Sequence, residues 1–152
     1  VHDREGRLIA AIAGDGSVTA YEYDGSGRLV KTIGHINKLS AGQIEAFKAN
    51  GPSASRPDAH PADSIARLFY DRAGRTIGAL DGEGYLTRTI YDGAGQKVQE
   101  IAYANATAVA QRASGSLQAL SDSAGTSASD RSVRHVYDQQ GLLRFSIDAL
   151  NH

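Results

Sequence analysis

Five short segments of this chain repeat one pattern, and that pattern limits what the chain can fold into. They are His2-Asp3-Arg4-Glu5-Gly6, Tyr23-Asp24-Gly25-Ser26-Gly27, Tyr70-Asp71-Arg72-Ala73-Gly74, Tyr91-Asp92-Gly93-Ala94-Gly95 and Tyr137-Asp138-Gln139-Gln140-Gly141. An Asp follows the ring residue each time, and a Gly follows that Asp by three. Ten residues after the ring stands an aliphatic: Ile12, Ile33, Leu80, Ile101 and Ile147. Asp at the first position of a type I turn bonds the backbone two residues on, and Gly at the fourth supplies positive φ. Such a turn joins the strands of a hairpin. The flanks read as strands, as in Ala66-Arg67-Leu68-Phe69-Tyr70 and Leu86-Thr87-Arg88-Thr89-Ile90-Tyr91, rich in β-branched and aromatic residues.

The spacing has two levels. His2 to Tyr23 and Tyr70 to Tyr91 are 21 residues each, whereas Tyr23 to Tyr91 is 68 and Tyr70 to Tyr137 is 67. Two hairpin units plus an insert therefore make a super-repeat. Second turns join the paired units at Gly14-Asp15-Gly16-Ser17 and Asp81-Gly82-Glu83-Gly84. The expected fold is mainly β, tandem antiparallel hairpins in a curved or spiral sheet, with two short helix-plus-loop inserts. The hairpin units are 1–38, 65–103 and 131–152; the inserts are 39–64 and 104–130, all within one segment, 1–152.

The first insert opens on Ser40-Ala41-Gly42-Gln43, a capping box, followed by Ile44 and Phe47 at helical spacing and a stop at Asn50-Gly51-Pro52. A Ser/Pro/Ala-rich loop follows. In the second insert Val109, Ala113, Leu117 and Leu120 predict one helix of about three turns, weakened by Gly115, and Ser121 to Ser129 a loop. Each insert is expected to lie over an edge or face of the sheet, where it blocks stray strand pairing.

Tyr-Asp-x-x-Gly-Arg, as in residues 23–28 and 70–75, resembles the YD repeat of RHS proteins, of the B and C components of insecticidal toxin complexes, and of teneurins. The resemblance implies a spiral of hairpins winding into a hollow shell, around a toxic polypeptide in the toxin proteins and within an adhesion ectodomain in teneurins. It implies secretion or display on a bacterial surface. The segment of that family that carries self-cleaving aspartates is not recognisable here. The first unit departs from the pattern with His2 for Tyr, and the fifth with Leu142 for the Arg after Gly.

Other chemistry is thinly represented. The chain has 16 basic and 17 acidic residues, a net charge of -1, so nothing points to nucleic acid or an anionic membrane. Cys is absent, which removes disulfides, thiolate nucleophiles and Cys-based metal sites. No apolar run approaches the ~20 residues of a membrane span. Met is absent too, and the patterned sequence starts at Val1, so the chain reads as a piece of something longer without a signal peptide. The Asp-Gly turns resemble calcium loops superficially, but calcium needs six to eight oxygens and each turn offers about one carboxylate. His2, His35, His60, His135 and His152 form no metal-ligand array. No nucleophile elbow, phosphate loop or dinucleotide fingerprint is present.

No catalytic, cofactor or metal residue is assigned, and no cofactor is expected. The residues singled out are the turn builders: Tyr23, Asp24 and Gly27; Tyr70, Asp71 and Gly74; Tyr91, Asp92 and Gly95; Tyr137, Asp138 and Gly141. The tyrosines are expected as a buried ladder, packed with the aliphatic ten residues on. Arg28 and Arg75 are expected to pair with neighbouring Asp or to cover aromatic faces. The leading function is a non-enzymatic structural segment of a shell or extended wall. Its partners are adjacent repeats, other copies in a filament, or an enclosed polypeptide. The alternative is a binding or adhesion module whose repeat-surface aromatics hold carbohydrate or protein.

Overall fold

The computed structural model describes residues 1–50 and 57–148. The chain is mainly β and divides into two compact units, Val1–Ala66 and Arg67–His152.

The first unit holds β1 (Ala10–Ile12), β2 (Val18–Tyr23), β3 (Leu29–Gly34) and α1 (Ala41–Asn50). Its strands pair antiparallel in chain order, with Ile12 opposite Val18 and Ala20 opposite Ile33. Ahead of β1, His2 bridges Leu8 across the first Asp-x-x-Gly turn. Val18, Ala20, Leu39 and Phe47 are buried. The capping box forms: the Ser40 N–H donates to Gln43 Oε1 at 2.9 Å, and the Gln43 N–H donates to Ser40 Oγ at 3.3 Å. The helix runs to Asn50; the predicted Gly51-Pro52 stop, and the part of the following loop up to residue 56, lie outside the described residues.

The second unit holds β4 (Ser64–Tyr70, pairing from Arg67), β5 (Thr76–Leu80), β6 (Leu86–Tyr91), β7 (Lys97–Ala102), β8 (Arg131–Tyr137) and β9 (Leu143–Ile147). These too form an antiparallel meander in chain order.

The second insert departs from the predicted single helix. It forms α2 (Val109–Arg112) and α3 (Leu117–Ala124), separated at Gly115 and restarted by Ser116, whose hydroxyl accepts the Ala119 N–H at 3.1 Å. Val109, read as part of the apolar stripe, is 54% exposed. Ser121 to Ala124, read as loop, belongs to α3, and Ser121 and Ala124 are buried. A serine cap next to a glycine divides the insert more strongly than an apolar spacing unites it. α3 lays Leu120 against Leu80 and Leu86, with Phe69, Tyr103 and Leu117 around them. The insert thus covers a face of this unit's sheet. Gly78 makes room for it, because a Cβ there would lie 2.5 Å from a methyl of Leu117.

Candidate functional site: the turn ladder

The five loops in which a ring residue precedes Asp-x-x-Gly close in one way, and the second turn Asp81–Gly84 closes likewise. The Gly N–H donates to the Asp carbonyl at 2.9–3.1 Å. The Asp N–H donates to the carbonyl of the residue after Gly at 2.9–3.0 Å. Asp Oδ1 accepts the N–H of that same residue, at 2.8 Å from Arg7, 3.0 Å from Arg28, 2.9 Å from Arg75, 2.9 Å from Gln96 and 2.8 Å from Leu142. The five Gly residues have φ between 78° and 85°, where a Cβ is costly. The strands leave each turn with a one-residue bulge beside the tyrosine, at Glu22/Tyr23, Phe69/Tyr70, Ile90/Tyr91 and Val136/Tyr137.

In four of the five turns the second carboxylate oxygen is used by arginine. Arg7, Arg28 and Arg75 reach Asp3, Asp24 and Asp71 at 2.6–2.7 Å. The fifth hairpin has Leu142 in that place, yet Arg144 supplies the contact to Asp138 at 2.6 Å. Residues one and three after Gly lie on the same side of the strand, so either reaches the carboxylate. These oxygens have guanidinium and backbone partners and do not converge on a common point. Among the described residues no group of three His, Asp or Glu is placed to hold a metal ion.

Successive hairpins are tied by the tyrosines. The hydroxyl of Tyr23 donates to the Leu8 carbonyl at 2.8 Å, that of Tyr91 to Thr76 at 3.3 Å, and that of Tyr137 to Lys97 at 2.9 Å. Each acceptor lies two residues after the Gly of an earlier turn. The turn arginine of that earlier hairpin lies over the incoming ring: Arg7 over Tyr23 at 5.1 Å and Arg75 over Tyr91 at 4.4 Å. It also reaches the next turn, since Arg75 Nη1 stands 2.8 Å from where a Cβ of Gly95 would be. Where Gln96 replaces the arginine, its Nε2 donates to the Gly141 carbonyl at 2.9 Å.

Tyr23, Tyr70, Tyr91 and Tyr137 are therefore half-buried rather than buried. Each ring sits at the rim beside its turn, and a hydroxyl needing a polar acceptor keeps it out of an apolar interior. The aliphatics ten residues on are also mixed: Leu80 is buried, Ile12, Ile33 and Ile101 are half-buried, and Ile147 on β9 is 38% exposed.

A second pair of aspartates, Asp63 and Asp130, closes the inserts. Asp63 Oδ1 accepts the Ile36 N–H at 2.9 Å and Oδ2 the His60 N–H at 3.1 Å. Asp130 takes Ala104 at 2.8 Å and Ser127 at 2.9 Å. Each insert also docks its start on the second turn: the Leu39 N–H donates to the Gly16 carbonyl at 2.9 Å, and the Thr107 N–H to Gly84 at 2.8 Å. No sequence expectation named these residues. The available signal was their spacing of 67, close to the super-repeat.

Desolvation pushes the carboxyls of Asp3, Asp63 and Asp71 up, but backbone N–H bonds, with the guanidinium of Arg7 or Arg75 for Asp3 and Asp71 and the neighbouring His35 ring for Asp63, outweigh it and hold all three below the usual range. For Asp24 the backbone and guanidinium bonds of Arg28 dominate, with the same result. A carboxyl whose pKa is lower folded than unfolded stabilises the fold fully above its unfolded value and loses that as pH falls through the folded value. Urea midpoints are thus expected to stay flat from neutrality to about pH 4 and to fall below it. A fall beginning near pH 6 would contradict the role of these turns.

Comparison with known proteins agrees with this geometry. Residues 2–34 match the family model described as RHS Repeat. Those residues carry an RHS repeat. No curated protein matches it. Among solved structures, the chain is similar to TcdB2-TccC3-TEV, with a TM-score of 0.58 at 16% identity over 99% of its length. It is similar also to TcdB2-TccC3 without its hypervariable C-terminal region, at 0.53 and 17% over 98%. A third is a Photorhabdus luminescens Tc holotoxin pore, at 0.53 and 15% over 97%. At these identities the likeness is one of fold. The chain spans about 7% of the first two proteins' chains. Among the described residues no helix is long and apolar enough to cross a membrane.

Proposed function

We propose that this RHS-repeat chain is a structural, non-catalytic segment of a β-shell or extended wall. The observation that supports it is the tyrosine hydroxyl bonded to a carbonyl of an earlier hairpin, made three times with one geometry. In a repeat array stability resides in such nearest-neighbour contacts. The hydroxyls of Tyr23, Tyr91 and Tyr137, which a binding module would offer to a ligand, are already bonded to backbone carbonyls. The finer reading, by analogy with the toxin-complex structures, is a secreted or surface shell around a polypeptide.

Tyr137→Phe removes one link and leaves the ring in place. It is expected to lower unfolding free energy by about 1 kcal/mol, the net worth of one hydrogen bond. An unchanged midpoint, together with loss of glycan or protein binding, would favour the adhesion reading instead. For the shell reading, a polypeptide that co-purifies with the native protein should resist added protease. It should become digestible when Tyr91 and Tyr137 are both replaced by Ala.

A further inference from the structure

We propose that Asp92-Gly93 is a site of spontaneous covalent modification, where aspartate isomerises to isoaspartate through a cyclic imide. The arginine missing from its turn is the guard that protects the matched pair Asp24-Gly25.

The step begins when the backbone nitrogen of the residue after Asp attacks Cγ. An N–Cγ bond forms, the amide proton and the carboxyl hydroxyl leave as water, and an imide closes. Water then opens the ring. Addition at Cγ breaks the new N–Cγ bond and restores Asp. Addition at the main-chain carbonyl breaks the original peptide bond, and the chain then runs through Cγ with the α-carboxyl as side group. Water leaves once and enters once, and nothing is oxidised or reduced. Glycine shields the attacking nitrogen least, because it has no Cβ. The leaving hydroxyl belongs to a protonated carboxyl, so any partner that favours the carboxylate slows the step.

The described turns hold four Asp-Gly pairs: Asp15-Gly16, Asp24-Gly25, Asp81-Gly82 and Asp92-Gly93. Asp24 and Asp92 are matched. Each follows a tyrosine, is half-buried and precedes an exposed glycine. Each Oδ1 accepts two backbone N–H groups, at 2.9 and 3.0 Å for Asp24 and at 2.9 Å twice for Asp92. They differ at Oδ2. The Arg28 guanidinium grips that of Asp24 at 2.6 and 2.7 Å. The backbone and guanidinium bonds of Arg28 hold that carboxyl below the usual range. Asp92 has Gln96 in the place of the arginine, and the Gln96 amide turns away to the Gly141 carbonyl at 2.9 Å. Among the described residues Oδ2 of Asp92 has no partner. Asp15 is paired with Lys38. Asp81 has no cation, but its Oδ1 accepts three N–H groups at 2.8–3.0 Å. Asp92 thus combines a following glycine, no cation and the fewest bonds.

Isomerisation there loosens a seam. It lengthens the turn backbone by a carbon and removes the carboxylate that accepts the Ala94 and Gln96 N–H groups. Gln96 and Lys97, next in the chain, make the bonds to the Gly141 carbonyl and from the Tyr137 hydroxyl.

The test ages the intact chain at mildly acidic pH in heavy-oxygen water. Each hydrolysed imide takes up label, and peptide mapping with electron-transfer fragmentation reads isoaspartate position by position. Deamidation at Asn50-Gly51 is thereby counted apart. Isoaspartate is expected to form at Asp92 about tenfold faster than at Asp24, the equivalent of one charge-assisted hydrogen bond. Gln96→Arg should restore the guard and slow Asp92 by about that factor. Gly93→Ala should suppress the reaction with circular dichroism unaltered, since nothing lies within 4 Å of its Cβ position and its φ is not positive. A rate at Asp24 or Asp15 equal to that at Asp92 would overturn the proposal. So would faster reaction at Asp81, an undiminished rate in Gly93→Ala, or no slowing by Gln96→Arg.

Discussion

Leu120→Ala is expected to lower the stability of the second unit by about 3 kcal/mol, within the range for emptying a packed leucine site. Leu120 is fully buried against Leu80 and Leu86, with Leu117 partly buried beside it. Its loss empties the centre of the packing between α3 and the sheet, so exchange of the α3 amides should accelerate along with the fall in melting temperature. Val109→Ala is the control. Val109 stands on α2 and is 54% exposed, so its truncation should change stability by no more than about 0.5 kcal/mol. Equal losses at the two sites would restore the single continuous helix that the apolar spacing suggested.

Gly16→Ala is expected to cost about 3 kcal/mol as well, by a different route. The residue has φ of 83°, where an L side chain is strained by about 1–2 kcal/mol. A Cβ there would also stand 2.3 Å from the carbonyl oxygen of Leu39. That contact is with backbone and cannot rotate away. Relieving it pulls Leu39, 5% exposed, off its seat and breaks the bond from its N–H to the Gly16 carbonyl. The start of the first insert should loosen, visible as faster exchange at Leu39 and in α1. Gly25→Ala serves as comparison, since nothing lies within 4 Å of the Cβ position and its φ is not positive. It should be nearly neutral. Matching effects at the two glycines would mean that φ and space at the second turn do not matter.

The turns were legible because their chemistry is local. Asp bonds its own loop and Gly closes it within five residues, so Asp24 to Arg28 contains nearly all the information needed. The antiparallel meander follows from repeating such a loop. What joins one hairpin to another was less visible, because the acceptors of Tyr23, Tyr91 and Tyr137 are backbone carbonyls, and any residue type provides one. Leu8, Thr76 and Lys97 share no side-chain property. The same blindness hid the role of Asp63 and Asp130, which lie outside the Tyr-Asp pair and bond to backbone N–H groups. Arg144 was hidden for a simpler reason: it stands three residues after Gly141, whereas the repeat pattern puts its arginine one residue after Gly, where this hairpin has Leu142. The break in the second insert shows local capping by Ser116 prevailing over an apolar period. The tyrosines were read as wholly apolar ladder members, although a phenol needs an acceptor and so remains at the rim.

Turn residues of one hairpin hold the ring of the next. A double-mutant cycle on Arg75→Gln and Tyr91→Leu tests it most directly, since the pairing of Arg75 with Asp71 cancels in the cycle. A coupling energy of about 0.5–1 kcal/mol is predicted. Additive effects, with coupling below about 0.3 kcal/mol, would contradict the claim.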